Sequence, residues 1–249
     1  MREYLFPFGC SLCGTGLVGA TESWYGLCGD CRAGIELELD ESLSGKTCGY
    51  CGRPLVSERD RCLSCRKPGD APGGFPESEN VGSALEGVRV LFPYMGKYRR
   101  LLFEYKSGKN LALGNFFAEK TLELLGHWGS LSCASLVPVP PRPGRIRRTG
   151  WDQIEYLARL LERKSAGGSF GGLRVSRCLR RLPSESQKEL GRESRRTNLR
   201  GRIVPVRRAP ETALVIDDVM TTGSTLEACA AALREGGARA VFGLCLFYD

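Results

Sequence analysis

The stretch ALVIDDVMTTGST, residues 213–225, decides the fold of this 249-residue chain. It opens with a short apolar run, Ala213–Ile216, which is typical of a buried strand. Two carboxylates, Asp217 and Asp218, end that run, and a turn of small residues leads into a predicted helix over Thr225–Glu235. A strand that passes through a turn into a helix is typical of an α/β sheet, in which ligands bind at the carboxyl ends of the strands.

The residues after the apolar run suggest a sugar-phosphate site. Hydroxyls and approachable backbone N–H groups at a helix N-terminus suit a phosphate, whereas the carboxylates suit sugar hydroxyls or a Mg²⁺-bound sugar diphosphate. An ordinary strand-to-helix turn with a Ser/Thr cap is the simpler alternative, but a cap accounts for only one hydroxyl. The small residues are Thr221, Thr222, Gly223, Ser224 and Thr225.

Apolar runs of strand and helix length alternate through the rest of residues 84–249. Strands separated by helices need crossover connections, so the pattern predicts an α/β fold with a mostly parallel sheet and flanking helices. The predicted strands are Val88–Met95, Ala134–Val139 and Ala240–Phe247, and the further predicted helices are Tyr98–Lys106, Leu111–Leu125, Trp151–Arg163 and Glu185–Arg196.

Eight of the twelve cysteines form four C-x-x-C pairs in the first 66 residues. Two such pairs complete a tetrahedron of thiolates around one Zn²⁺, so the spacing predicts two closed, structural zinc sites. Pairing in sequence order is favoured, and interleaved pairing stays open. The predicted ligands are Cys10, Cys13, Cys28, Cys31, Cys48, Cys51, Cys62 and Cys65.

Three other uses of these cysteines fit less well. A disulfide framework needs an oxidising compartment, thioredoxin-like chemistry needs a βαβ setting, and iron–sulfur clusters usually show different spacing. Metal binding would also supply folding energy that a segment with few large apolar residues lacks. The remaining cysteines lack this spacing and are predicted to be buried free thiols: Cys133, Cys178, Cys229 and Cys245.

Composition divides the chain and predicts where it resides. Residues 67–83 are rich in Pro, Gly and polar residues, so they are interpreted as a linker between a zinc module, residues 1–66, and an α/β domain, residues 84–249. The chain has 42% hydrophobic residues, no apolar run near the roughly 20 residues of a membrane span, and no export signal. We therefore expect a soluble, cytoplasmic protein without a membrane span.

The positive charge is concentrated in one segment. Residues 142–208 contain 17 Arg and 2 Lys against 6 Asp and Glu. Such a block typically faces a polyanion, either nucleic acid or a phosphorylated ligand, although a solvated face is the simpler alternative. The excess of Arg over Lys favours phosphate contact, because one guanidinium can bind two oxygens.

Ile216–Thr225 resembles the phosphoribosyl-pyrophosphate (PRPP) loop of type I phosphoribosyltransferases. Together with the double zinc ribbon that precedes it, the chain resembles the ComF family of competence-related proteins along nearly its whole length. Shorter segments also resemble that family. They are Cys51–Leu55 (CGRPL), Tyr105–Lys109 (YKSGK), Val137–Pro140 (VPVP), Arg147–Gln153 (RRTGWDQ) and the spaced residues Gln187, Leu190, Arg195 and Asn198.

The resemblance implies a site that binds PRPP with Mg²⁺ and transfers its phosphoribosyl group to an unknown acceptor. Asp217 and Asp218 would bind the ribose hydroxyls as the catalytic carboxylates, and residues 221–225 would bind the 5′-phosphate. The cations near the pyrophosphate would be Lys106, Arg147 and Arg148. Hypoxanthine-type transferases carry a carboxylate at the position of Thr221, so deprotonation of a purine by this loop residue is not expected.

Two other functions remain open. The resemblance links the chain to uptake of single-stranded DNA. The alternative that it predicts is a non-catalytic accessory protein, which binds single-stranded DNA and a competence helicase. The zinc ribbon could also serve only as a docking module for another protein. The sequence does not identify the acceptor.

Overall fold

The computed structural model describes residues 9–49, 51–55, 57–65, 84–128, 131, 134–166, 172–183 and 201–249. The predicted linker, residues 67–83, and the predicted helix Glu185–Arg196 lie outside the described residues, as does Cys133.

Five strands form one parallel sheet, in the order β1-β7-β6-β2-β3, and two form a separate antiparallel hairpin, β4-β5. This confirms the predicted α/β class. The strands are β1 (Gly87–Pro93), β2 (Ser135–Pro138), β3 (Arg174–Val175), β4 (Leu179–Arg181), β5 (Ile203–Pro205), β6 (Thr212–Met220) and β7 (Ala240–Tyr248).

Helices cover both faces of the sheet. The four predicted helices that fall on described residues agree with the structure within two residues at each end. No helix in the described ranges is both long and apolar enough to cross a membrane. The helices are α1 (Ala20–Tyr25), α2 (Gly29–Ser44), α3 (Gly96–Lys106), α4 (Leu111–Gly126), α5 (Arg145–Thr149), α6 (Gln153–Ser165) and α7 (Ser224–Glu235).

β6 extends beyond its apolar run. The sequence predicted a strand that ends in the two carboxylates, and β6 continues two residues beyond them because it stays paired with β7 as far as Met220 opposite Tyr248. On the other side of β6, strand β2 ends at Pro138, opposite Ile216. Asp217 and Asp218 therefore lie beside a strand on one side only, at the edge of the sheet where ligands bind in open α/β folds.

The sheet has two separate apolar cores because successive side chains of a strand point to opposite faces. Leu214 and Ile216 pack with α3, α4 and α6 on the first face. Ala213 and Val215 pack with α7 on the second face. Cys178, Cys229 and Cys245 belong to this second core and are fully or almost fully buried, as predicted for free thiols.

The eight N-terminal cysteines do not pack together in one small core. The first cysteine group, which comprises Cys10, Cys13, Cys28 and Cys31, contributes Cys10 and Cys28 to the core of the first face. The second cysteine group, which comprises Cys48, Cys51, Cys62 and Cys65, contributes Cys48, Cys51 and Cys62 to the core of the second face. The two groups thus pack against opposite faces of the sheet, whereas the domain boundaries at residues 66 and 84 stay a prediction.

Helix α2 contains Cys31 of the first cysteine group, extends toward the second group along the chain, and was not predicted. Its sequence, GDCRAGIELELDESLS, has only a narrow row of apolar residues at every fourth position, namely Cys31, Ile35, Leu39 and Leu43. Ile35 and Leu39, one helical turn apart, are buried and join the core of the first face. Glu38 accepts hydrogen bonds from Lys97 at 2.6 Å and from the Tyr98 hydroxyl at 2.7 Å, so polar contacts to α3 help to hold this helix.

Candidate functional site

Asp217 and Asp218 point to opposite faces of the sheet. Asp218 continues the alternation of Leu214 and Ile216 toward α3 and α6, and Asp217 continues that of Val215 toward α7. The two carboxylates therefore have different neighbours and different chemistry.

Asp218 is buried and held by two side-chain donors. Lys106, the last residue of α3, donates from Nζ to Oδ2 of Asp218. Gln153, the first residue of α6, donates from Nε2 to the same oxygen at 2.6 Å. Because both donors bind Oδ2, a lone-pair direction on the other carboxylate oxygen stays available for a ligand hydroxyl. The structure thus brings the predicted Lys106 to the predicted Asp218.

Gln153 is a central residue of this site that sequence reasoning did not select. Its backbone oxygen accepts a hydrogen bond from the buried Tyr105 hydroxyl at 2.7 Å, and its Oε1 accepts one from Arg145 at 2.7 Å. Asp152 caps the N-terminus of α6 by accepting from the amides of the next turn, which fixes the position of Gln153. The sequence signal for Gln153 was the capping residue Asp152 directly before it. Such a cap indicates the start of a helix rather than a ligand site.

Asp217 is partly buried, near Arg181, Cys229 and Cys245. Its Oδ1 accepts a hydrogen bond from the backbone N–H of Asp218 at 2.8 Å. Burial of its carboxyl group among protein atoms, and then the neighbouring Asp218 carboxylate, raise the pKa of Asp217 to about 8. Burial and the charge of Asp217 also raise the pKa values of the thiols of Cys229 and Cys245 well above their usual range. At neutral pH, Asp217 can thus hold a proton while Asp218 pairs with Lys106.

The raised pKa predicts how Asp217 affects stability. Its unfolded pKa is near 3.8, so between about pH 4 and pH 8 the folded chain keeps a proton that the unfolded chain has released. The stability contributed by this group therefore falls as pH rises through that window and levels off above it. We expect Asp217→Asn to flatten this decline, measured as the midpoint of urea unfolding from pH 5 to pH 9. Equal pH slopes in the two proteins would contradict the assignment.

Residues 221–225, which are predicted to bind a phosphate and are therefore named the phosphate loop, lie between the end of β6 and the first turn of α7. Thr221 and Thr222 are exposed, and the Thr222 hydroxyl donates to the Ser224 hydroxyl at 3.0 Å. Gly223 has a φ of 73°, which favours glycine at this position. Gly223, the N-cap residue of α7, has no side chain that could cap the helix, and the amide of Ser224 donates to the Thr222 hydroxyl at 3.4 Å. The next amides of the first turn, those of Thr225 and Leu226, stay available to an anion.

Arg147 and Arg148, predicted to lie near a pyrophosphate, are exposed on the five-residue helix α5. Neither side chain makes an ion pair or hydrogen bond among the described residues. The arginine of α5 that reaches the site is Arg145, through Gln153. The role of Arg147 and Arg148 as ligands of a diphosphate stays a prediction.

Each cysteine group brings four Sγ atoms within 4.8 Å of one another, with the pairs combined in sequence order. The Sγ atoms of Cys13 and Cys28, and those of Cys51 and Cys62, are 3.6 Å apart. Zinc bound to four thiolates at about 2.3 Å needs Sγ atoms about 3.8 Å apart, whereas a disulfide needs about 2.05 Å. The described cysteines are free thiols. Both groups therefore fit zinc.

The first pair of each cysteine group is built in the same way. The amide of the glycine after the pair donates to the carbonyl of its first cysteine at 2.9 Å, for Gly14 to Cys10 and for Gly52 to Cys48. Both glycines have positive φ, 80° and 70°. This turn directs both thiols of a pair to one point, which explains the repeated C-x-x-C-G sequence.

Arg53 links the second cysteine group to the phosphate loop. It comes two residues after Cys51, and its NH2 group donates to the backbone oxygen of Thr221 at 3.1 Å. The guanidinium also lies over the ring of Tyr248, 5.6 Å from its centroid. Sequence reasoning used Arg53 only as part of a resemblance, because these partners are far from it along the chain.

No family model matches the sequence, and no curated protein matches it significantly. The site is therefore defined by its own residues: a carboxylate pair at the end of β6, a helix N-terminus with available amides, and two four-cysteine groups on opposite faces of the sheet.

Proposed function

We propose that this chain is a phosphoribosyltransferase-like protein that binds PRPP and transfers its phosphoribosyl group to an acceptor. The observation that carries the proposal is the order of the polar groups at the edge of the sheet, where carboxyl groups are followed by hydroxyls and amides. Two acidic side chains with different hydrogen-bond partners, Asp217 and Asp218, stand directly before a loop of hydroxyls and available amides at the start of α7. Sugar hydroxyls next to a phosphate would match this order.

The chain's own residues supply the binding and the orientation. Asp218 would accept hydrogen bonds from the ribose hydroxyls while Lys106 and Gln153 fix its direction. The phosphate loop would bind the 5′-phosphate through its hydroxyls and the amides of α7. Mg²⁺, bound through the oxygens of the sugar diphosphate and the nearby carboxylates, would neutralise the charge that develops on the departing pyrophosphate.

The transfer itself is a substitution at the anomeric carbon of the ribose. The acceptor's electron pair forms the new bond to that carbon, and the bond to the pyrophosphate oxygen breaks, so that pyrophosphate leaves with the electron pair. A proton on the acceptor is released to water, and an anionic acceptor has none to release. Thr221 lacks a basic form at neutral pH, which favours an acceptor that is already nucleophilic.

Calorimetric titration with PRPP, with and without Mg²⁺, tests the proposal without knowledge of the acceptor. We expect saturable binding to the zinc-loaded protein that strengthens when Mg²⁺ is present. Folded protein that does not bind PRPP under either condition would refute the proposal. Binding would justify a search for acceptors by release of pyrophosphate.

A second function is favoured by one specific observation. Arg147 and Arg148 are exposed within the basic segment and have no acidic partner among the described residues. These arginines suit the phosphates of single-stranded DNA. In this alternative the chain is a non-catalytic accessory protein of DNA uptake, as its resemblance to the ComF family suggests, with a competence helicase as a further proposed partner.

Charge reversal at both arginines tests the alternative. We expect Arg147→Glu with Arg148→Glu to weaken binding of a single-stranded oligonucleotide and to reduce the slope of log affinity against log salt by about 1.4, because two phosphate contacts are lost. The matched control reverses Arg59 and Arg100, which are exposed outside the basic segment. Equal salt slopes for both double variants would count against direct DNA contact.

A further inference from the structure

We propose that Arg53 is a positioning residue for the phosphate loop, and that the second cysteine group thereby helps to set the affinity for the phosphate ligand. The inference rests on the proposed function for the identity of that ligand. The hydrogen bond between Arg53 and Thr221, on which it is built, involves no ligand. It gives the second cysteine group a role at the site in addition to folding.

The hydrogen bond joins the turn of the second cysteine group to the phosphate loop at the residue where the loop begins. Thr221 is the first residue after β6, and its backbone oxygen accepts the hydrogen bond from Arg53 at 3.1 Å. Restraining this carbonyl restrains the peptide that leads into Thr222 and Gly223. The orientation of the following amides, which would face the phosphate, depends on that peptide.

The guanidinium is itself held in place. Its stacking over Tyr248, the last residue of β7, adds a cation–π contact at 5.6 Å. β7 pairs with β6 up to Met220 opposite Tyr248, so the ring and the loop are anchored to the same end of the sheet. Arg53 thus bridges two neighbouring strand ends.

The turn that carries Arg53 has little freedom to move. The backbone oxygen of Arg53 accepts the amide of Cys48 at 2.7 Å, so the residue is part of the cysteine turn. At Gly52, an added Cβ would lie 2.6 Å from the carbonyl oxygen of Val88, because the turn lies directly on β1. Cys48 and Cys51 are buried in the core of the second face. The second cysteine group therefore fixes the position of the Arg53 backbone, and an ordered group holds the Arg53 guanidinium at the backbone oxygen of Thr221.

This arrangement links the two sites thermodynamically. If an ordered second cysteine group favours the loop conformation that binds phosphate, the bound ligand must in turn favour the ordered group. The first cysteine group lies on the opposite face and has no such contact with the loop among the described residues.

Amide hydrogen exchange of the zinc-loaded, ligand-free protein tests the contact directly. We expect Arg53→Gln to increase exchange of the two hydrogen-bonded amides at the loop and first turn of α7, those of Ser224 and Glu227, about three- to tenfold, which corresponds to the loss of one hydrogen bond. Exchange in β2 and the zinc content of two ions per chain should stay unchanged. The matched control is Arg59→Gln, since Arg59 is an exposed arginine of the same segment.

A parallel titration with PRPP connects the loop to ligand affinity. We expect the Kd of Arg53→Gln to rise about three- to tenfold and that of Arg59→Gln to equal the wild-type value. Unchanged loop exchange in Arg53→Gln would overturn the inference. So would a wild-type Kd of Arg53→Gln, provided that the wild type binds PRPP. Failure of the wild type to bind PRPP would refute the proposed function instead, and exchange would still decide whether Arg53 holds the loop.

Discussion

Replacing Cys48 by serine is expected to reduce the zinc content from two ions to one per chain and to lower the melting temperature by about 10 °C or more. Cys48 is fully buried, and its group packs in the core of the second face with Val88 of β1. Structural zinc supplies folding energy, and the loss of a ligand leaves three thiols in an apolar core. A loss of about 3–5 kcal/mol would give a shift of this size in a chain of this length.

Zinc analysis and thermal unfolding measured on the same sample test this prediction. The matched control is Leu63→Ser, which introduces the same side chain at an exposed position between two ligands of the same group. We expect two zinc ions per chain and a nearly unchanged melting temperature in the control. A Cys48→Ser protein that keeps two zinc ions and its wild-type stability would show that the second group is not a structural zinc site.

The same result bears on the organisation of the chain. Because the second cysteine group packs on the face that also holds α7, its loss should destabilise the parallel sheet rather than unfold a separate module. Independent unfolding of residues 1–66, with the sheet intact, would instead favour an appended docking module.

Asp218→Asn is expected to weaken PRPP binding about 10- to 100-fold. The substitution removes the negative charge that accepts the sugar hydroxyls, and hydrogen bonds to charged groups contribute about 1.5–3 kcal/mol. It also leaves Lys106 and Gln153, both donors, facing an amide that can accept with only one atom. The loss therefore includes the orientation of the site as well as the direct contact.

Titration calorimetry with PRPP and Mg²⁺ measures this effect, and circular dichroism verifies that the variant is folded. Glu235→Gln serves as the matched control, because Glu235 is exposed at the far end of α7 and makes no ion pair among the described residues. Wild-type affinity in Asp218→Asn would show that this carboxylate does not bind the ligand.

Much of the framework was predictable because it depends on local patterns. The alternation of apolar runs predicted the parallel sheet, and the regular C-x-x-C spacing predicted two four-cysteine groups. The last two residues of β6, beyond the carboxylates, were not predicted, because a carboxylate in a strand gives no local sign that pairing with β7 continues. Helix α2 was missed because its apolar residues form only a narrow row, in which Ile35 and Leu39 are buried in the core.

The sequence by itself determined the α/β class, the two four-cysteine groups and the carboxylate-loop-helix order, since each depends on residues close together along the chain. Only the tertiary structure decided that Asp217 and Asp218 have different environments, that Gln153 and Lys106 share one oxygen of Asp218, and that Arg53 reaches Thr221. Those contacts join residues that are distant in sequence. They depend on how strand ends and helix ends meet at one edge of the sheet, which local patterns do not encode.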